Sequence, residues 1–155
     1  MTIYLDERDD QYISLKIDHH LFGLPVKKVQ DVIYTPKLTY IPLSAARVSG
    51  LLNLRGRIVT AIDLGIILNL PSTAKTEGSM SIILEIGSEL YSFIVNSVGE
   101  VLTIHPGAME KKPSTLDEQW RLYSSGVFQV NGEIMVILDE KRIFADLMPD
   151  GVPNE

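Results

Sequence analysis

A mostly β fold, organised as two small five-stranded barrels, is predicted by three features of the 155-residue chain. Apolar and polar residues alternate at Ile13, Leu15 and Ile17, β-branched runs recur at short spacing, and one half of the sequence repeats the other. Strands are placed at 12–17, 21–26, 29–34, 48–54, 57–62, 80–86, 90–95, 98–104, 125–130 and 133–138. Gly23, Pro25, Pro36, Pro42, Gly56, Gly87, Gly107 and the Asn131-Gly132 pair punctuate them, and Asn-Gly between two apolar runs is a strong short hairpin signal. Two short helices directly follow strands. One is 64–70, with Asp63 as N-cap and Pro71 as stop; the other is 140–147, capped by Asp139 with Ile143, Phe144 and Leu147 on one face. The segment 71–79 has almost no apolar content and reads as a connector, and 105–124 reads as irregular.

The repeat is the most informative observation. VSGLLNLRGRIVTAIDL (48–64) lies without gaps on SSGVFQVNGEIMVILDE (124–140), pairing Gly50 with Gly126, Leu51 with Val127, Gly56 with Gly132, Ile58 with Ile134 and Asp63 with Asp139. LFGLPVKKVQDVI (21–33) lies on LYSFIVNSVGEVL (90–102), pairing Val29 with Val98, Asp31 with Glu100 and Val32 with Val101. A duplicated unit of five short antiparallel strands with a closing helix suits a small barrel that covers its own edges. The reading is one domain over 1–155, with a first barrel at 12–70, a connector at 71–79, and a second barrel with its closing helix at 80–147. Each half, of roughly 75 residues, would be marginal alone, so the two are expected to share a core.

Composition narrows the function. The chain has 20 acidic against 14 basic residues, a formal charge of −6 and no cysteine. Without thiols it has no disulfides, cysteine nucleophile or thiolate zinc site. The acidic balance opposes binding to a phosphate backbone, so nucleic acid is not an expected partner. The opening MTIYLDERDD lacks the basic then apolar layout of a signal peptide, and no apolar run approaches the roughly 18 residues of a membrane span. A soluble cytoplasmic protein with no direct membrane insertion is expected.

No enzyme signature is found. The GxGxxG, GxxxxGK and GxSxG patterns are absent. His19 and His20 fall at a hairpin where alternation points them to opposite faces, which disfavours a shared metal ion. Asp63 and Asp139 precede helices, so capping is their expected role, and Lys111 and Lys112 read as a solvated loop. Trp120 is expected to cover the end of a barrel, with lining a partner surface as the alternative. Val29, Val32 and Ile33, with their counterparts Val98, Val101 and Leu102, place apolar residues on both parities of a strand; this fits a core strand, the expected reading, or a docking edge. Neither catalytic residues, metal nor cofactor is assigned.

At GLLNLRGRIVTAIDL (50–64) the sequence resembles the CheW family of bacterial chemotaxis coupling proteins, and the resemblance continues through FGLPVKKVQDV (22–32), YSFIVNSVGEVL (91–102) and SGVFQVNGEIMVILDEKRIF (125–144). It covers about 12–147 and is to the stand-alone adaptor. The resemblance implies two five-stranded SH3-like barrels. It implies a non-enzymatic adaptor, associated with membrane receptor arrays, that couples the chemoreceptor cytoplasmic helical tip to the regulatory domain of the histidine kinase CheA. The positions it implies for receptor contact are Val29, Asp31, Gly50, Arg55 and Val98; the kinase surface maps onto apolar strand edges of the first barrel without particular residues. Three positions depart from the family pattern: Asn96 where Asp is common, Thr60 where Pro is common, and Asp31 where Glu is common. The last keeps the charge and shortens its reach. A small-barrel protein- or peptide-binding module outside chemotaxis is the alternative.

Arg55 also stands out within the repeat itself. The second copy turns on Asn131-Gly132, the first on Arg55-Gly56. Arginine has no preference for positive φ, so Arg55 contributes nothing evident to the turn, and a hairpin tip lifts its guanidinium toward solvent, where it can bind carboxylates.

Overall fold

The computed structural model describes residues 10–41 and 47–147. The expectations for the first nine residues and for Pro42 therefore lie outside the described residues. Every predicted strand forms: β1 (Gln11–Ile17), β2 (His20–Pro25), β3 (Val29–Tyr34), β4 (Val48–Leu54), β5 (Arg57–Asp63), β6 (Met80–Ile86), β7 (Glu89–Val95), β8 (Ser97–Thr103), β9 (Ser124–Val130) and β10 (Glu133–Leu138). The first predicted helix is shorter, α1 (Leu64–Ile67), because residues 68–70 turn back on its carbonyls and Asn69 takes a φ of 58°. A helix α2 (Glu118–Leu122) forms within the region read as irregular, and the last helix is α3 (Glu140–Leu147). The Asp117 carboxylate caps α2 by accepting from the Gln119 and Trp120 amides.

The strands make two five-stranded sheets, in the orders β3-β6-β7-β5-β4 and β8-β1-β2-β10-β9. The first is contiguous in sequence and the second is split, drawing its strands from both ends of the chain. This corrects the assignment of one barrel to 12–70 and the other to 80–147. Each sheet takes strands three to five of one repeat and the opening hairpin of the other. A short connection accounts for one of the two crossings. One residue, Asn96, separates β7 from β8, and reversing a chain within a sheet takes about two. β8 therefore runs on into the other sheet instead of folding back, while in the first repeat the three-residue 3-10 turn Val26–Lys28 leads from β2 to β3; each opening hairpin pairs in parallel with the fifth strand of the other copy, as β7 with β5 and β2 with β10.

The core of the contiguous sheet gathers Leu52, Val59, Ala61, Ile83, Leu90 and Ile94; Ile104, Met135 and Ile137 form a cluster in the split one. The edge strands β3 and β8 contain no fully buried residue. The core reading of Val29, Val32, Ile33, Val98, Val101 and Leu102 is therefore replaced by the edge reading, and Val101 is 54% exposed. Having a neighbour on one side only, an edge strand leaves side chains of both parities within reach of water.

Both sheets bridge their edges by the same device. After β3 the chain crosses to β4, where Thr39 and Leu51 exchange backbone hydrogen bonds of 2.7 and 2.9 Å. After β8, Glu110 and Val127 do the same at 2.8 and 3.0 Å. Leu51 and Val127 are repeat counterparts, each preceded by a glycine that the crossing requires. A Cβ on Gly50 would lie 2.4 Å from the Thr39 carbonyl oxygen, and one on Gly126 2.8 Å from the Met109 side chain.

Candidate functional site

Arg55 and Gly56 form the β4–β5 tip with φ of 49° and 87°, matching 50° and 81° at Asn131 and Gly132. The two tips thus share one backbone geometry, and Arg55 is held in the left-handed region that a branched or long side chain enters at a cost of about 1 kcal/mol. The Asn53 side chain braces the turn by accepting from the Gly56 amide at 3.0 Å. The Arg55 side chain stays 74% exposed, yet it is not idle in solvent: Nη2 donates to Asp31 Oδ2 at 3.0 Å. The other Asp31 oxygen accepts the Val32 amide at 2.9 Å. Because β3 and β4 are the two edges of the contiguous sheet, the pair spans the seam between them, and aspartate suffices for the reach.

The remaining implied contact residues are distributed differently. Val29 opens β3, half-buried and paired with Leu84. Gly50 is buried beneath Thr39 with a φ of 145°, where its role in the fold is to admit the crossing segment. Val98 lies on β8 of the split sheet, half-buried. Of these residues, Asp31 and Arg55 are joined by a side-chain hydrogen bond. Thr39 and Asn53, which set the seam and the tip, were not singled out from sequence; the paired glycines of the repeat are the signal that points to Thr39. Of the departures, Thr60 sits in central strand β5 between Leu51 and Tyr91, and Asn96 forms the short link between sheets.

Asp63 does cap α1, accepting from the Ile66 amide at 3.1 Å, but it does more. It also accepts from the Thr73 and Ala74 amides at 2.9 and 3.2 Å and from the Ser72 hydroxyl, and the Thr73 hydroxyl lies 2.8 Å away. Burial favours its neutral form, but these donors outweigh burial and hold the carboxyl below its ordinary value. The segment 71–79 is therefore fastened to the end of β5. Asp139 keeps only the capping half of this role, accepting from the Lys141 amide at 3.0 Å and pairing with Arg142 at 3.5 Å.

In the split sheet, Trp120 is half-buried and meets Phe22 and His20 edge-on, with ring centroids 5.1 and 4.9 Å apart. It covers Phe22 and also lines an open groove of about 310 Å³ with Leu21, Leu116 and Ile134. The β1–β2 turn uses Asp18 and His19, with φ of 49° and 72°, leaving His20 to begin β2. Lys112 is not a solvated loop residue as expected: its Nζ donates to the Arg121 and Ser124 carbonyls, both at 3.0 Å, tying residues 112–124 together. Burial, then the nearby Arg142 and Arg121, lowers its pKa.

Two repeat-related sheets, each with bridged edges, and a polar pair spanning one seam define a duplicated β scaffold. Among the described residues no helix is long and apolar enough to cross a membrane. The chain belongs to the CheW-like domain family, whose model matches residues 11–148. It is 24% identical over 140 residues to the chemotaxis protein CheW of Thermotoga maritima, covering 90% of this chain and 91% of that protein. It is 20% identical to a probable chemotaxis protein CheW of Rhizobium etli, covering 92% of each. The crystal structure of the scaffolding protein TtCheW from Thermoanaerobacter tengcongensis superposes with a TM-score of 0.73 at 26% identity, over 84% of each chain.

Proposed function

We propose that this chain is a non-enzymatic chemotaxis adaptor that couples the cytoplasmic helical tip of chemoreceptors to the regulatory domain of the histidine kinase CheA, acting in the cytoplasm at receptor arrays. The observation that carries the reading is family membership over nearly the whole length, together with relatives that are chemotaxis and scaffolding proteins.

The seam suggests how receptor contact works. Asp31 fixes one edge of the Arg55 guanidinium, so less side-chain entropy is lost when the exposed remainder meets a receptor carboxylate. Val29, on the same edge strand, supplies apolar area beside it. Coupling then requires no chemistry from the adaptor, only two surfaces held by one fold. The reading is tested by mixing the purified chain with the kinase regulatory domain and a receptor cytoplasmic fragment from the same cell. The expected result is co-elution with each and receptor-dependent stimulation of full-length kinase; binding to neither would overturn it, and binding only to an unrelated peptide would favour a module outside chemotaxis.

A further inference from the structure

We propose that the β8 edge of the split sheet takes an arginine side chain from the receptor tip, received by Glu100 between Val98 and Leu102; this rests on the adaptor reading above. The internal repeat points to this contact. Glu100 holds in β8 the place that Asp31 holds in β3, and Asn131 holds at the β9–β10 tip the place of Arg55. The contiguous sheet therefore displays what a carboxylate at this seam position binds: a guanidinium, at 3.0 Å, provided by the chain itself. In the split sheet the tip has the same backbone, φ of 50° and 81°, but carries an uncharged Asn131. Glu100 is exposed, and among the described residues no ion pair engages it.

The local backbone is set for such a contact. The Ser14 hydroxyl donates to the Glu100 carbonyl at 3.0 Å, and Gly99 lies so close to Ser14 that a Cβ there would meet its Oγ at 2.5 Å. The strand that carries Glu100 is therefore anchored on β1 while its side chain faces water. On the same strand face, Val98 and Leu102 flank it, both half-buried, an apolar setting that suits the weakly hydrated guanidinium better than an ammonium. One sheet satisfies its seam acid internally, and the other leaves it for a partner.

The test uses full-length chain, a receptor cytoplasmic fragment assembled on vesicles, the kinase regulatory domain, and four variants. Glu100→Gln should weaken receptor binding about 5- to 10-fold, and less at high salt. Asn131→Arg should weaken it similarly by supplying the guanidinium internally, as Arg55 does, whereas Asn131→Ala should bind as wild type. The double variant Glu100→Gln/Asn131→Arg should bind within about twofold of Glu100→Gln alone, since both changes remove the same contact. Kinase-domain binding should not change in any of them. Undiminished receptor binding by Glu100→Gln, additive losses in the double variant, or parallel loss of kinase-domain binding would overturn the proposal. Failure of the wild-type chain to bind the receptor fragment would overturn the adaptor reading with it, whereas wild-type binding that ignores Glu100 would overturn this inference alone.

Discussion

The β4–β5 and β9–β10 hairpins share a sequence origin and a backbone, with tip φ angles agreeing within a few degrees, yet their first turn residues are Arg55 and Asn131. Asparagine enters the left-handed region readily; arginine does so against its preference. The difference shows which hairpin answers to folding alone. At Asn131 the residue suits the turn, whereas at Arg55 the turn tolerates a residue whose side chain crosses to Asp31 on the opposite edge of its sheet. Strain of this kind persists where something else requires the side chain.

The exchange of opening hairpins between repeats predicts the largest effect. A chain ending at residue 75 would keep β3, β4 and β5 without the β6–β7 hairpin that lies between β3 and β5, and would leave β1 and β2 without β8, β9 and β10. It should be unfolded or aggregated, and a sharp, dispersed NMR spectrum from it would break the account of two mutually completed sheets.

The two capping aspartates should separate next. Asp63→Ala strands several amide donors around a nearly fully buried site, for an expected loss of roughly 3 kcal/mol, whereas Asp139→Ala removes a half-exposed cap for about 1 kcal/mol, both read by denaturant unfolding. The native pKa of Asp63 is depressed, so its stabilisation is complete above the ordinary carboxylate value near 4 and is lost as the pH falls from there through the lower native value. Wild-type stability should fall more steeply with acid in that window than that of Asp63→Asn. Equal slopes would deny Asp63 this role.

The paired glycines give a smaller contrast. An alanine at Gly50 meets the Thr39 backbone at 2.4 Å with φ at 145°, while at Gly126 it meets the flexible Met109 side chain at 2.8 Å and the Glu110 carbonyl oxygen at 2.9 Å, without a positive φ. Expected losses are roughly 2 to 3 and about 1 kcal/mol; equal losses would show that Gly126 is as tightly constrained as Gly50.

How much of this was legible beforehand depends on range. The strands were, because alternation and turn residues act over a few positions, as at Ile13 to Ile17 and Asn131-Gly132. The choice of sheet for each hairpin was not, since β5 shows nothing locally that tells β7 from β2 as its parallel neighbour. The helix at Glu118 to Leu122 is too short for a periodic signal, and the tie made by Lys112 goes to backbone carbonyls, which leave no trace in side-chain pattern. The resemblance names Asp31 and Arg55 separately, but nothing in the sequence shows that these two residues, 24 positions apart, hold one another.

Arg55 is proposed to serve coupling and not the turn, and Arg55→Asn tests this most directly by giving the first tip the residue of the second. An exposed pair is worth at most about 1 kcal/mol, and the gain from a residue suited to positive φ is of similar size, so thermal stability should change by less than about 1 kcal/mol. Receptor-dependent kinase activation measured on the same preparation should nevertheless fall severalfold, with kinase-domain binding retained. Undiminished activation, or a loss that tracks unfolding, would contradict the account.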